Sequence, residues 1–317
     1  MKTSDWFLAL VQTTMPKPYA LNASFEGRDF LTAFNWETID DPTHGRVNYV
    51  NKDMALQNNL TFASGNKFVM RADDRNVVLS QARGRDSIRI TSYAAYEDSL
   101  LILDVSHMPE GCSTWPAWWT LSQQGPWPQG GEIDIIEGVN IAATDQVSLH
   151  TTPGCTIPQP FVPSSNILST NCDASVNGNQ GCGISLDYGT YGRPFNQANG
   201  GYYAMRRDKH DGISVWFLNR DLFSSPYVLD PSLLQTIRPN AHFPMGSNCD
   251  YAQHFNAHQI IFDLTFCGDW AGSVWSTSSC ASAAPTCESF VDNNPSAFQD
   301  AYWEINSLRV YLPGDFP

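Results

Sequence analysis

The chain has 317 residues and a formal net charge of −14, and only 16% of its residues are charged. An acidic balance argues against nucleic acids and anionic membranes as partners, because both select basic surfaces, and no stretch approaches the roughly 20 apolar residues of a membrane span. Abundant Gly, Pro, Trp, Tyr and Phe favour a multi-stranded β protein with a stacking groove, in one large or two ordinary domains.

The N-terminal segment, residues 1–27, is predicted to be an extension or a degenerate leader. Its lysine is followed by an apolar run of only about six residues, short of the roughly 7–15 of a signal peptide. Two N-glycosylation sequons, "NAS" at Asn22 and "NLT" at Asn59, are typical of a secreted glycoprotein.

Residues 28–317 are predicted to form one domain of stacked antiparallel sheets, since short alternating segments follow one another between turns. The predicted strands span 67–72, 87–92, 99–108, 146–152, 201–207, 212–220, 259–266 and 307–312. A short helix is predicted over 296–303. Residues 153–200, rich in Asn, Gly, Ser, Pro and Cys, are predicted to form a long disulfide-held loop.

The eight cysteines include no CxxC pair, so zinc and thioredoxin-like sites lack their motif. An even, scattered set indicates an oxidising compartment and up to four disulfides, whose pairing the sequence leaves open. His254 and His258 have the spacing of helical zinc ligands, but they lead into a strand-like run without a third ligand. No metal or cofactor is predicted.

The segment "GGEIDIIEG" (130–138) crowds three acids onto an isoleucine-rich run that favours a strand. Alternation places Glu132 and Asp134 on one face, and a β-bulge around residues 135–136 would return Glu137 to that face. The bulged path leaves the two glutamate carboxyls roughly 5 Å apart, the separation found in retaining glycosidases. The solvated edge of a strand is the alternative interpretation.

Four tryptophans precede these acids within a short distance. An indole offers a flat apolar surface to the C–H face of a sugar ring, and wet grooves often use such amphipathic aromatics. Strands also bury tryptophan in the core, so each position is open to either interpretation. The four are Trp115, Trp118, Trp119 and Trp127.

Several motifs in chain order now identify a resemblance. They are "DDPTHGRVNYV" (40–50), "STWPAWW" (113–119), "GGEIDIIEGVN" (130–140), "LHTT" (149–152), "LTFCGDWAG" (264–272) and "NNPSAFQDAYWEINSLRVY" (293–311). Over about residues 28–312 the chain resembles glycoside hydrolase family 16, in particular the fungal laminarinase-type endo-1,3(4)-β-glucanases. The resemblance implies an all-β fold: a β-jelly-roll sandwich of two curved antiparallel sheets with a concave substrate cleft.

The resemblance also implies roles for the three acids. Glu132 matches the nucleophile that forms a covalent glycosyl–enzyme, and Glu137 matches the general acid and base. This division requires one carboxylate to be ionised while the other holds a proton. Asp134, between them, is expected to keep their pKa values apart.

Substrate contacts are carried over in the same way. Trp119 and Trp127 match tryptophans on the donor side of the cleft, and Trp270 in "GDWAG" matches another groove wall. The further substrate-binding candidates are His150, Arg89, Trp115 and, more weakly, Asn48. His150 has an ordinary buried histidine as its alternative, and Arg89 an ion pair with a surface acid.

Two departures from the family pattern bear on the cleft. Trp118 stands where a small or aliphatic residue is usual, which predicts either a narrower groove or one changed subsite. The segment "LSQQGP" (121–126) is one residue longer, which predicts a displaced Trp127.

The leading hypothesis is a secreted, monomeric, endo-acting retaining hydrolase of β-1,3-glucan and of mixed-linkage β-1,3-1,4-glucan. A β-glucan transglycosylase is the first alternative, because water and a sugar acceptor compete for the same glycosyl–enzyme. A non-catalytic β-glucan-binding protein is the second, although such a protein is expected to lack the two glutamates.

Overall fold

The computed structural model describes residues 19–158, 166–220 and 230–314. Two eight-stranded antiparallel sheets and one two-stranded parallel pair account for the strands in these ranges. The parallel pair joins β3 (Val47–Tyr49) to β6 (Arg85–Ser87).

The first sheet contains the strand that ends the described chain. In spatial order its strands are β16 (Ala241–Phe243), β15 (Gly212–Asn219), β14 (Gly201–Asp208), β8 (Ser99–His107), β18 (Tyr302–Pro313), β5 (Lys67–Arg71) and β4 (Thr61–Ser64), with β1 (Tyr19–Phe25) also paired to β18.

The second sheet contains the acidic strand near its middle. Its order is β12 (Ile167–Ser169), β13 (Cys182–Ser185), β11 (Gln146–His150), β10 (Glu132–Glu137), β9 (Thr114–Ser122), β17 (His258–Phe266), β7 (Arg89–Tyr96) and β2 (Phe34–Trp36).

The helices in the described ranges are short. They are α1 (Phe30–Ala33), α2 (Lys52–Gln57), α3 (Gly192–Gln197), α4 (Pro231–Leu234), α5 (Tyr251–His254) and α6 (Cys287–Asn293). None of the helices in the part of the chain that the structure describes is long and apolar enough to cross a membrane.

The main core lies between the two sheets. Alternating apolar side chains of β5, β8, β14 and β18 meet those of β7, β9, β10, β11 and β17 in one buried cluster. Trp118 is fully buried there and stacks on Phe262 with 6.0 Å between ring centroids. The opposite face of the second sheet is thereby left for polar side chains, and we call it the cleft face.

Each predicted strand coincides with an observed one, although β18 begins earlier than predicted and residues 87–92 divide between β6 and β7. The helix predicted over 296–303 is wrong. A 3-10 turn spans Pro295–Phe298, and from Tyr302 onwards the backbone pairs with β5. Sheet pairing overrides the local helical pattern here, because Phe298 and Trp303 are both completely buried.

The segment 153–200 is not one long loop. It contains β12, β13 and α3, and β13 pairs with β11 inside the second sheet. Residues 159–165 lie outside the described residues. A strand also precedes residue 28, the predicted start of the domain, since β1 pairs with β18 over Tyr19–Phe25. This strand is mostly solvent-exposed, so it lacks the alternating apolar pattern that identifies a strand in sequence.

All eight cysteines are paired, which confirms the prediction of four disulfides. The bonds are Cys112–Cys280, Cys155–Cys249, Cys172–Cys182 and Cys267–Cys287. The third joins the start of β13 to the segment after β12.

Candidate active site

The acidic strand β10 contains the predicted bulge. On β9, Trp119 lies opposite Asp134 and Trp118 lies opposite Ile136, so Ile135 is an extra residue. Ile133, Ile135 and Ile136 are all completely buried in the core. The bulge therefore lets two consecutive isoleucines face the core and returns Glu137 to the cleft face.

Steric constraints require glycine at position 131, immediately before β10. Gly131 has φ +83°, and a Cβ at this position would lie 2.5 Å from the carbonyl oxygen of His254. Only glycine tolerates both the positive φ and this close approach. The tight turn lets the chain enter β10 directly from the loop that carries Trp127.

Each glutamate is held by a tryptophan. The indole Nε1 of Trp115 donates to Oε1 of Glu137 at 2.8 Å, and that of Trp127 donates to Oε2 of Glu132 at 2.9 Å. Trp115 lies on β9, whereas Trp127 lies on the preceding loop and is 45% exposed. The loop that follows "LSQQGP" thus brings Trp127 to the acid.

Burial and mutual repulsion raise the pKa values of this cluster. Burial raises the pKa of Glu132 to about 7 and that of Glu137 to about 7, against the lowering effect of the two indole hydrogen bonds. The pKa of Asp134 is raised well above its usual value by burial and by both glutamates. Repulsion among the three carboxyls therefore disfavours the state in which all of them are ionised.

Asp134 is 3% exposed and has His150 as its neighbour. His150 Nε2 lies 3.4 Å from Oδ2 of Asp134, an oxygen that accepts no hydrogen bond from the described residues. The other ring nitrogen, Nδ1, contacts Oδ1 of Asn179 at 2.8 Å. Burial lowers the pKa of His150, so the ring is neutral at neutral pH.

These residues also define the place where a cation would fit best. One ligand atom each from Glu132, Asp134 and His150 lies within 4.8 Å of the others. Glu132 and Asp134 are two of the three acids predicted from the sequence as catalytic, and the third, Glu137, is not part of this group.

Two further buried acids were not singled out in the sequence. Asp145 accepts a hydrogen bond from the backbone N–H of Glu137 at 2.9 Å. It is fully buried, which raises its pKa well above the usual value. Because β10 pairs with β11 only over Glu132–Asp134, this side chain replaces the ladder partner that Glu137 lacks.

The second is Asp263 on β17, whose Oδ2 accepts from Nε1 of Trp119 at 3.0 Å. Burial raises its pKa to about 7, opposed by Arg89. The signal that would have identified it is an acid inside the apolar run "QIIFDLTF".

Arg89 belongs to the same network. Its Nε donates to Oε2 of Glu37 at 2.6 Å, its Nη1 lies 3.7 Å from Oδ2 of Asp263, and its guanidinium lies 5.0 Å from the centroid of the Trp119 ring. The side chain is thus buried between two carboxylates and an indole. Contact of Arg89 with a substrate remains a prediction.

The remaining tryptophans separate by strand alternation. Trp115 and Trp119 face the cleft, and Trp270, on a π-helical turn over Gly268–Gly272, packs edge-on against Trp115 at 5.7 Å. Trp119 is only 9% exposed. The prediction that Trp118 narrows the groove is wrong, because the even-numbered positions of β9 face the core.

Asn48 and His258 make contacts away from the three acids. Nδ2 of Asn48 donates to Oδ1 of Asp86 at 2.6 Å, between β3 and β6, and no described contact joins Asn48 to the three acids. His258 contacts Oγ1 of Thr120 at 2.9 Å and the carbonyl oxygen of Gly130 at 2.7 Å. Both ring nitrogens thus take part in contacts that anchor the loop before β10.

Known proteins are similar to this chain over most of its length. The family model of the XgeA-like catalytic GH16 domain matches residues 34–311. A probable glycosidase of Schizosaccharomyces pombe is 41% identical over 301 residues, which are 93% of this chain and 70% of that protein. A probable endo-1,3(4)-β-glucanase of Aspergillus niger is 39% identical over 97% of this chain, which spans 42% of that longer protein.

Solved structures agree with the fold. Laminarinase 16A from Phanerochaete chrysosporium, solved with β-glucans (6-O-glucosyl-laminaritriose) in both donor and acceptor sites, has 43% identity and a TM-score of 0.84, covering 93% of this chain and 99% of its own. An elongating GH family 16 β-1,3-glucosyltransferase has 35% identity and a TM-score of 0.81, covering 93% of this chain and 100% of its own.

Two stacked antiparallel sheets with a pair of glutamates on one bulged strand define a jelly-roll glycosidase. The matched family model covers nearly all of the two sheets, and the identities exceed 30% over nearly the whole chain. The chain belongs to glycoside hydrolase family 16, which confirms the resemblance and the fold predicted from the sequence.

Proposed function

We propose that this chain is an endo-acting, retaining hydrolase of β-1,3-glucan that also cleaves mixed-linkage β-1,3-1,4-glucan. The observation that carries the proposal is the bulged strand β10, which presents Glu132 and Glu137 on the cleft face, each with an indole hydrogen bond and a pKa raised to about 7. Near neutral pH such a pair holds about one proton between its two carboxyls, and a retaining mechanism needs one ionised carboxylate as the nucleophile and one protonated carboxyl as the acid.

In the first step the carboxylate of Glu132 attacks the anomeric carbon while the glycosidic C–O bond breaks. The proton of Glu137 passes to the leaving oxygen. In the second step Glu137 takes a proton from water, the resulting oxygen attacks the same carbon, and the ester to Glu132 breaks. Two inversions leave the β configuration unchanged.

Asp134, which contacts His150, is proposed to support this exchange through its charge state. A protonated Asp134 adds no negative charge between the glutamates, so Glu132 ionises more readily than it would beside a carboxylate. Trp127, Trp119 and Trp270 are proposed to line the cleft, with Trp127 as the exposed surface against which a sugar ring stacks.

The test combines two variants with one product analysis. Glu132→Ala should abolish cleavage of laminarin and keep oligosaccharide binding. Glu137→Gln should slow natural glucan more than aryl glycosides with good leaving groups, which need little acid assistance. Proton NMR of the first product should show the β anomer. An α anomer would exclude the double displacement.

A transglycosylase is the second candidate, favoured by the 35% identity to the solved structure of an elongating GH family 16 β-1,3-glucosyltransferase. Product profiles at high acceptor concentration separate the two functions. Longer products at the expense of hydrolysis would assign transfer, and reducing ends in proportion to cleavage would assign hydrolysis. A binding protein without catalysis would give neither.

We further propose a secreted, monomeric glycoprotein whose residues 28–317 form a single catalytic domain, extended by β1. Four disulfides suit an oxidising compartment. Asn22 and Asn59, the sequon positions, are both exposed. Mass spectrometry of the protein from a eukaryotic culture medium tests secretion and glycosylation together.

A further inference from the structure

An exposed tyrosine lies on the cleft face, three strands away from the acids. Tyr93 is 66% exposed, in the middle of β7. Ile90 and Ser92 of the same strand face the core side and are buried, and Arg89 of the alternate set joins the Trp119–Asp263 network. Ser92 also lies opposite the buried Phe34 of β2, so the next residue, Tyr93, belongs to the opposite face, which carries the candidate catalytic acids.

The strand is bulged at this tyrosine. Against β17, Thr91 lies opposite Ile261 and Ala95 lies opposite Gln259, so residues 92–94 together oppose Ile260. The strand therefore has two extra residues here, an even number, which leaves the alternation of faces on either side of the bulge unchanged.

Side-chain hydrogen bonds fix this bulge. Oγ of Ser92 accepts from the backbone N–H of Ile260 at 2.9 Å and donates to the carbonyl oxygen of Ala94 at 2.7 Å. Nε2 of Gln259 donates to the carbonyl oxygen of Ser92 at 2.6 Å. The backbone that carries Tyr93 is thus held on both sides, and the ring is presented from a rigid element rather than from a mobile loop.

The floor between Tyr93 and the acids is apolar. Ala117, Trp119 and Ile261 form a small cluster on the cleft face, with Leu121 packed against it. Strand spacing places β7 about 14 Å from β10. This distance exceeds the reach of a sugar bound at the glutamates, so only a further unit of the same chain would meet Tyr93.

We propose that Tyr93 is a stacking platform for a distal sugar unit of a bound β-glucan, on the side of the cleft that holds Trp119. The inference rests on the proposed function and deepens it, because it makes the enzyme favour long chains over short ones. Each aromatic contact of this kind changes affinity about 2- to 10-fold.

The experiment compares chain lengths. Values of kcat/KM are measured on unbranched β-1,3-gluco-oligosaccharides of increasing length for the wild type, Tyr93→Ala and Tyr93→Phe. Tyr93→Ala should lower the ratio of long-chain to short-chain kcat/KM about 2- to 10-fold. Tyr93→Phe keeps the ring and should retain the ratio, as should Leu21→Ala, an exposed position on the other sheet.

Binding supplies a readout without turnover. In a Glu132→Ala background, calorimetry with the longest soluble oligosaccharide should give a Kd raised about 2- to 10-fold by Tyr93→Ala. An unchanged length ratio in Tyr93→Ala, or an equal loss on short and long chains, overturns the inference while the proposed function stands. A wild-type protein that cleaves no β-glucan overturns both.

Discussion

Replacement of Trp115 by phenylalanine tests which glutamate acts as the acid. The change removes the indole N–H that lies 2.8 Å from Oε1 of Glu137 and keeps an aromatic ring beside Trp270. A hydrogen bond to a charged group contributes about 1.5–3 kcal/mol. Its loss destabilises the carboxylate form and raises the pKa of Glu137 by about 1–2 units.

The consequence is visible in the pH dependence of kcat/KM. The alkaline limb of the profile reports deprotonation of the general acid in the free enzyme. Trp115→Phe should therefore move this limb upwards by about 1 unit or more, while the acidic limb moves less. The assay is the initial rate on a soluble β-1,3-glucan far below KM, from about pH 4 to about pH 10.

Trp127→Phe is the matched control at the other glutamate. It removes the donor to Oε2 of Glu132 and should raise the pKa of that nucleophile. The acidic limb should then move upwards and the profile should narrow. Interchanged responses of the two variants would refute the assignment of the roles, and two unchanged profiles would refute the electrostatic reasoning.

Three further predictions concern stability. Glu132→Gln should raise Tm by about 2–6 °C at pH 8 and leave it unchanged at pH 4. The pKa of Glu132 is higher in the folded than in the unfolded protein, so the fold loses stability as the pH rises from the pKa of the unfolded state to about 7. Scanning calorimetry at both pH values measures this difference in Tm. Asp145→Ala should unfold at lower urea than Asp145→Asn, because only the amide still accepts from the Glu137 N–H, a difference of about 1–3 kcal/mol; coincident urea curves would contradict this. Trp118→Ala should cost about 3–5 kcal/mol as a core cavity, and a loss below about 1 kcal/mol would place this ring outside the core.

The bulge in the acidic strand was predictable because two requirements conflict within a few residues: strand alternation and the exclusion of ionisable groups from the core. Alternation alone sends Glu137 to the core, and an ionisable group has no place among Ile133 and Ile135, so an extra residue is required. The same reasoning would have corrected Trp118. It is one residue from Trp119 and so must face the opposite side.

Other features depend on partners distant in sequence. Asp263 gains its surroundings from Trp119 and Arg89, which lie on two different neighbouring strands. Residues 296–303 carry a helical pattern, yet the pairing of Tyr302 with Arg71 decides their conformation. Local propensity contains no information on either pairing, because each depends on strand order.

The uneven pairing of β10 gives the two glutamates separate supports. Glu132 is fixed in the ladder to β11, whereas Glu137 depends on the carboxyl of Asp145 at the far end of a connecting segment. We therefore expect replacements within residues 138–145 to change the surroundings of Glu137 more than the position of Glu132. Substitutions in this segment offer protein engineers a way to change the working pH without altering Glu132, the proposed nucleophile.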